Sequence, residues 1–277
     1  MEAIAEIGRQ MKTFFVVLAF YVKLGFLHLA RWYEPKLRKN GKYNHTIVVL
    51  GDDHAMGLGD YTSLVTGSGL TSKVAKEIAK ERSIRQSWQV FNRGEYHTSS
   101  EDWLLAADSK RLEKPSLLAR TLDDPKMTKA DIVIILLGSY DVQQRGPNSI
   151  TPEDTVRNLE LICQAIQRHS NGKKSIYLST IPTAGDQYFL SDAQQEENKQ
   201  RNRLIEKYAA NNEDGVFLGV QVDHYENFEF RRKNLYWKDG RHFSDIGYTK
   251  LAKDYFPLIK SDMIKREFSL YRRDLGL

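Results

Sequence analysis

Residues 131–138 read DIVIILLG, the most strand-like stretch of the chain. A continuous run of β-branched and leucine residues that ends in glycine predicts a strand buried on both faces of a sheet. Residues 46–51 read TIVVLG and repeat the pattern. Two such runs indicate a parallel sheet with both faces covered, because antiparallel strands usually alternate apolar and polar residues.

The segments around these two strands alternate between short apolar runs and longer amphipathic stretches. Three further strands are predicted at residues 88–91, 175–179 and 215–220. Helical spacing of apolar residues appears at 71–82, 151–169, 192–211 and from 244 to 256 or beyond. Alternating strands and helices predict an α/β fold with a five-stranded parallel sheet between two helical layers.

The composition supports one sizeable domain and argues against several other classes of protein. Of 277 residues, 41% are hydrophobic, which is enough for a folded core. Cys163 is the single cysteine, so an internal disulfide is excluded, and its apolar helical surroundings predict a core position. The sequence shows no Cys/His cluster with the spacing of zinc ligands, and we expect neither a metal nor another cofactor.

The net charge is +5, and the positive charge is spread along the chain but strongest in two basic runs. One follows the first hydrophobic stretch and the other lies near the C-terminus: Arg31, Lys36, Arg38, Lys39 and Lys42, then Lys260, Lys265, Arg266, Arg272 and Arg273. Neither run lies on a recognisable nucleic-acid module with stacking aromatic residues, so no nucleic-acid partner is expected. Proximity to a membrane or to an acidic protein subunit explains both runs better.

Residues 13–30 form a hydrophobic segment interrupted by Lys23 and His28. Its length is near the minimum for a spanning helix, and a central lysine costs roughly 2.5–3.5 kcal/mol on insertion scales. We predict a membrane anchor: either Lys23 meets an acidic partner inside a membrane assembly, or the helix lies in the interface. A helix packed on the domain is the alternative. More Lys and Arg residues follow the segment than precede it, which predicts a domain facing the cytosol or a mitochondrial matrix.

These features divide the chain into three parts. Residues 1–42 carry the hydrophobic helix and its basic flank, 43–260 form the α/β domain, and 261–277 form a basic C-terminal extension.

Four short blocks lie at the edge where ligands bind in parallel α/β sheets, beyond the carboxyl ends of the strands. GDDHAMG (51–57) follows the first strand, NRG (92–94) the second and GSYD (138–141) the third. The fourth block, DGRHFSDIGY (239–248), opens the last helix.

In their order and spacing, these blocks resemble the SGNH (GDSL) hydrolase superfamily over about residues 46–257. The resemblance implies a flavodoxin-like three-layer α/β/α sandwich and the activity of an esterase, lipase, thioesterase or carbohydrate deacetylase. It also implies that Asp239 and His242 are the supporting pair of the catalytic site. Gly94 matches the glycine whose backbone N–H helps to hold the oxyanion.

Two positions depart from the family pattern. Asp53 stands where the family has its nucleophilic serine, and Tyr140 replaces the asparagine that donates to the oxyanion. Serine attack needs a hydroxyl proton that a neutral histidine accepts, and an aspartate supplies none. At about 4 Å and an effective dielectric of about 20, the Asp53 charge would interact with His242 by roughly 4 kcal/mol. We therefore predict that His242 is held as an imidazolium.

Other interpretations of these residues stay open at the level of sequence. Asp53 could itself attack an ester, with His242 activating water for the second step. Another hydroxyl could replace the serine: Ser139 is the nearest candidate, and Ser63 and Ser99 are further removed. The run Asp52, Asp53 and His54 could bind a metal, although it lacks the separated ligands of a catalytic zinc site. The retained residues could also be purely structural, orienting the last helix and permitting tight turns.

The sequence therefore favours a catalytically inactive or strongly altered SGNH-like protein that serves as a structural or interaction subunit of a membrane-associated assembly. Its expected partners are membrane lipid and other protein subunits. The alternative is an active membrane-associated hydrolase of acyl esters that uses Asp53 or another nucleophile with His242. A third possibility is a domain that binds a small molecule, without chemistry, in the pocket where an active family member would bind its substrate.

Overall fold

The structure is a computed structural model that describes residues 2–30, 41–61, 68–109, 116–144, 149–182, 190–211, 215–227 and 234–276. Its strands are β1 (Asn44–Gly51), β2 (Ser87–Gly94), β3 (Ile132–Leu136), β4 (Ser175–Leu178) and β5 (Val216–Leu218). The α-helices are α1 (Glu2–Ala30), α2 (Asp53–Met56), α3 (Gly69–Lys80), α4 (Leu117–Leu122), α5 (Pro125–Thr128), α6 (Pro152–Ser170), α7 (Asp192–Ala210) and α8 (Asp245–Asp274). Short 3₁₀ helices lie at Glu101–Trp103 and Val222–Asn227.

The five strands form one parallel sheet in the order β2-β1-β3-β4-β5, which confirms the predicted α/β fold. The chain passes from β1 outward to β2 and then returns to β3 on the other side of β1. This reversal creates a switch point at the carboxyl end of β1, where ligands of such sheets bind. The sequence placed residues 92–94 in a loop after β2, but they continue the strand because Gly94 pairs with Gly51.

Alternation along β1 builds the two cores of the sandwich. Ile47 and Val49 pack in the core formed with α3 and α8, whereas Val48 and Leu50 pack in the core formed with α4 to α7. Side chains of a strand point alternately to opposite faces, so one apolar run supplies both layers. The three-layer arrangement predicted from sequence is therefore confirmed.

Helix α8 begins at the block that contains His242 and runs beyond residue 260, where the sequence placed the start of a C-terminal extension. Met263 is fully buried, and the Glu267 carboxylate accepts hydrogen bonds from the backbone N–H groups of Arg85 and Gln86 and from Trp88 Nε1. These contacts fasten the second half of α8 to the start of β2, so this part of the helix packs on the sheet.

Helix α1 packs on the domain through one side. Leu27 lies in a small apolar cluster with Met56 and Leu58, and Tyr96 packs against the same cluster. Lys23 is buried, its Nζ donates to Ser68 Oγ at 2.8 Å, and burial lowers its pKa to about 8. The sequence offered an acidic partner inside a membrane assembly as one way to satisfy Lys23. In the structure the Ser68 hydroxyl accepts its hydrogen bond, and the charge of Asp60 acts to raise its pKa.

Among the helices that the structure describes, none combines the length and the apolar character required to cross a bilayer. The expectation that residues 13–30 span a membrane therefore finds no support here. The basic residues Arg31, Lys36, Arg38 and Lys39 lie outside the described residues.

Candidate active site

Asp53 reaches the site through a tight turn at the end of β1. Gly51 has a φ of +141°, and a Cβ at this position would lie 1.8 Å from the carbonyl oxygen of Leu136. Only glycine fits this close approach to β3. Asp52 then caps the short helix α2 by accepting a hydrogen bond from the backbone N–H of His54, so Asp53 becomes the first residue of that helix.

The Asp53 carboxylate is fully buried, and each of its oxygens accepts hydrogen bonds. Oδ1 accepts from the backbone N–H of His97 at 2.6 Å. Oδ2 accepts from Arg241 Nη2 at 2.7 Å and faces His242 Nε2 at 3.2 Å. Asp53 is thus the centre of a buried ion-pair network.

Asp239 orients the other side of the histidine ring. Its Oδ2 lies 2.7 Å from His242 Nδ1, and its Oδ1 accepts from the backbone N–H groups of Arg241 and His242 at 2.9 and 3.0 Å. The Asp239–His242 pair therefore has the geometry that orients a catalytic histidine. The sequence-predicted residues Asp53, Asp239 and His242 come together as one chain of contacts.

The surroundings shift the pKa values of these three groups in a consistent pattern. Burial acts to lower the pKa of His242, but the hydrogen bonds and charges of Asp239 and Asp53 outweigh it and raise that pKa above 6.5. Burial acts to raise the pKa of Asp53, but His242 and the Arg241 guanidinium outweigh it and hold that pKa below 3.8. The pKa of Asp239 is lowered in the same way, by His242. This pattern describes an imidazolium between two carboxylates.

Arg241 is a site residue that sequence reasoning did not identify. Its side chain is mostly buried, and it supplies a full positive charge to Asp53. The sequence could have indicated this role, because Arg241 lies between Asp239 and His242 in the fourth block. A carboxylate in place of a serine creates a need for a nearby cation, since a buried charge is costly unless it is paired.

The other hydroxyl groups considered as nucleophiles have different partners. Ser139 Oγ donates to Asp52 Oδ2 at 2.8 Å, and the same oxygen accepts the backbone N–H groups of Gly138 and Ser139. Ser99 Oγ donates to Asp102. Ser63 lies outside the described residues. Ser139 is therefore part of the framework that joins β1 to the loop after β3.

Gly94 and Tyr140, which the sequence predicts as oxyanion-hole equivalents, also make contacts within the chain. The Gly94 N–H donates to Asn92 Oδ1 at 2.8 Å, and a Cβ on Gly94 would lie 2.2 Å from Met56 N. Gly94 is thus required for the close packing of β2 against α2. The Tyr140 ring packs on His97 with 4.1 Å between ring centroids, and Tyr140 is half-buried.

Asp52, Asp53 and His54 do not form a metal-binding group. Within the described ranges, the only set of three or more His, Cys, Asp or Glu side chains whose ligand atoms converge is Glu206, Asp223 and His224, which includes none of these three residues. His54 instead places Nε2 3.2 Å from the carbonyl oxygen of Arg241. This contact packs α2 against the loop that carries Arg241 and His242.

The profile of the GDSL-like Lipase/Acylhydrolase family matches residues 49–250, a segment that runs from the end of β1 through the site to the start of α8. The chain belongs to this family. No curated protein matches the chain significantly.

Solved structures show the same fold at low sequence identity. A lipase/acylhydrolase from Enterococcus faecalis is 20% identical with a TM-score of 0.56, covering 79% of this chain and 96% of its own. A lipase from a goat rumen metagenome is 15% identical with a TM-score of 0.56, covering 76% and 95%. An acetylxylan esterase from Geobacillus stearothermophilus is 19% identical with a TM-score of 0.52, covering 79% and 95%. At these identities the likeness concerns the fold.

Proposed function

We propose that this GDSL-family chain is a catalytically inactive hydrolase-like protein that acts as a structural or interaction subunit at a membrane. The proposal rests on the environment of Asp53: its carboxylate is buried and bridges Arg241 and His242. A group at the nucleophile position must reach a carbonyl carbon at about 3–3.5 Å. A fully buried carboxylate with all of these partners is not presented to a substrate.

The alternative, hydrolysis of an acyl ester through Asp53, is less well supported by the same geometry. The ion pairs stabilise the carboxylate as an anion, which weakens it as a nucleophile. An imidazolium at His242 is a poor general base for the second step. The Gly94 N–H donates to Asn92, and Tyr140 replaces the asparagine donor. Both of the donors that the family pattern would direct at an oxyanion are therefore engaged elsewhere or replaced.

The proposed association with a membrane and with other subunits rests on the exposed apolar residues of α1 and on the basic residues that follow it. Phe14, Phe15 and Tyr21 expose more than half of their surface. The basic residues that follow α1 favour anionic lipid or an acidic subunit, with the domain on the cytosolic or matrix side. Nucleic acid is not proposed as a partner, and a small-molecule ligand stays the third candidate.

The test is hydrolysis of short- and long-chain p-nitrophenyl esters by the full chain. We expect no turnover by the native protein and a new, slow activity in Asp53→Ser that disappears in Asp53→Ser/His242→Ala. Asp53→Asn is the matched control, because it removes the charge without supplying a nucleophile. Adding Tyr140→Asn to Asp53→Ser should raise the rate further, since one oxyanion donor is worth about 10²–10³.

Turnover by the native chain that is lost in His242→Ala would contradict the proposal. It would show that Asp53 works within an active site, and the active-hydrolase alternative would replace inactivity. The Asp53→Asn variant separates the two cases further, because it abolishes an Asp53-dependent activity and leaves an inactive protein unchanged.

A further inference from the structure

Helix α1 contacts the same edge of the domain that carries the site. Met56 ends α2, Leu58 follows it, and Tyr96 lies just beyond β2; all three pack with Leu27 or its neighbours in α1. Tyr96 also contacts Phe20 of α1, with ring centroids 5.6 Å apart. The carboxyl edge of the sheet and α1 therefore form one connected surface.

Among the side chains of α1 that the structure describes, those that contact the domain lie between Phe20 and Leu27. Just before these contacts, consecutive residues at every angle around the helix are exposed, each between 39% and 63%: Phe14, Phe15, Val16, Val17 and Leu18. Five successive residues cover the full circumference of a helix, because each residue turns it by about 100°. This part of α1 presents apolar side chains in all directions.

Exposed apolar residues continue along the part of α1 that contacts the domain, on the face that points away from it. Tyr21, Val22 and Leu29 are 63%, 41% and 62% exposed, whereas Lys23 and Leu27 are buried. Exposed apolar surface of this extent marks a site for a protein partner or a membrane.

The positive charge of α1 and the residues after it favours lipid, and specifically anionic lipid, as the partner of this apolar surface. From residue 9 to residue 42 the sequence has one acidic residue, Glu34, against a set of basic ones: Arg9, Lys12, Lys23, Arg31, Lys36, Arg38, Lys39 and Lys42. Such segments are attracted to anionic headgroups by about 1 kcal/mol per basic residue near the surface. The same excess of positive charge repels a second copy of this segment.

We propose that α1 is a monotopic anchor that lies in the interface of an anionic bilayer and holds the carboxyl edge of the sheet beside the lipid. Lys23 fastens the helix to the domain through Ser68, so the lysine faces protein and the opposite side faces lipid. The inference rests on the membrane association proposed above and adds the lipid class, the contact residues and the orientation of the domain.

The first experiment is binding of the full chain to phosphatidylcholine vesicles with and without phosphatidylserine. We expect binding that requires phosphatidylserine and falls at least about tenfold in Phe14→Asp/Phe15→Asp, because affinity scales with buried apolar area. Phe268→Asp is the matched control, since Phe268 in α8 is 63% exposed, as is Phe14. It should bind like the native chain.

A second measurement tests the orientation with an environment-sensitive dye at an introduced cysteine. The native Cys163 is buried, so Tyr21→Cys and Phe268→Cys can be labelled separately in the folded chain. With vesicles, the dye at position 21 should shift to the blue and the dye at position 268 should not, because Phe268 lies near Glu267 at the opposite edge of the sheet.

Absence of vesicle binding, or equal loss of binding in the Phe268→Asp control, would overturn the inference. So would a soluble dimer that dissociates in Phe14→Asp/Phe15→Asp without lipid, because it would identify a second copy as the occupant. These results are independent of the ester assay, so loss of the anchor proposal and loss of the inactivity proposal are distinguishable.

Discussion

Asp53 and Asp141 are both buried aspartates beyond the carboxyl ends of neighbouring strands, β1 and β3, yet their partners differ in charge. Asp53 faces Arg241 and His242. Asp141 accepts hydrogen bonds from neutral groups, the backbone N–H and hydroxyl of Ser100 and the hydroxyl of Thr155, at 2.6–2.9 Å.

The pKa values move in opposite directions as a result. Burial raises the pKa of Asp141 to about 6, and its hydrogen bonds and the charge of Arg201, which does not contact it directly, only partly offset that rise. At Asp53 the same burial is outweighed by cationic partners, and the pKa is lowered. The comparison shows that burial alone does not set the ionisation of a carboxyl group; the charge of its partners decides it. The buried Asp53 is therefore stable as an anion because Arg241 and His242 accompany it.

The largest expected effect is at Arg241. Replacing it by methionine keeps an apolar stem of similar length but removes one of the two cationic partners of the buried Asp53. Breaking a buried ion pair in this way costs about 3–5 kcal/mol. We expect a loss of this size in the free energy of unfolding of Arg241→Met, measured by urea denaturation at neutral pH.

The control is Arg241→Met combined with Asp53→Asn, which removes the unpaired charge and should recover part of the lost stability. A strictly additive double mutant would show that the two side chains are not coupled, and the interpretation of Asp53 as a cation-dependent carboxylate would be wrong.

The second prediction concerns the pH dependence contributed by Asp141. Its folded-state pKa of about 6 exceeds the reference value of 3.8, so the folded state binds the proton more tightly. Protonation of Asp141 therefore favours the folded state, and this contribution grows as pH falls from about 6 to about 4, by up to about 3 kcal/mol. Stability from the lowered pKa values of Asp53 and Asp239 is lost only below that window, as pH falls through them.

Asp141→Asn should remove this trend, so the difference in unfolding free energy between native and variant chains should change between pH 4 and pH 6. The surface variant Asp192→Asn serves as the control, because it removes a carboxylate that is exposed to solvent. A native-minus-Asp141→Asn difference that stays constant over this range would show that Asp141 ionises normally.

Much of the fold was predictable because its signals are local. Apolar runs that end in glycine mark β1 and β3, and helical spacing marks α6. The end of β2 was missed, because Asn92 and Arg93 are polar residues that read as a loop. Their strand conformation comes from pairing with β1, an interaction more than 40 residues away in sequence that no local pattern encodes.

The site was predictable where it depends on a motif. The blocks place Asp239, His242 and Asp53 together, and the pairing of a carboxylate with His242 follows from that placement. Arg241 and the backbone N–H of His97 were not predictable, because an arginine in a loop usually reads as a solvated side chain. The docking of Lys23 on Ser68 likewise depends on how a distant helix packs.

The smallest expected effect is a shift in the pKa of His242. Its titration tests directly whether Asp53 has a cationic partner in this histidine, in contrast to the neutral hydrogen-bond partners of Asp141. Its folded-state pKa is raised above 6.5 by Asp239 and Asp53, so the stability it contributes is complete below about pH 6.5 and is lost as pH rises through the folded-state value. NMR titration of the ring should give a pKa above 6.5 in the native chain and a lower one in Asp53→Asn, with His242→Gln identifying the signal. A native value at or below 6.5 would mean that His242 is neutral at physiological pH and able to act as a base. In that case the buried carboxylate at position 53 would depend on Arg241 alone, and the site would retain one of the groups that hydrolysis requires.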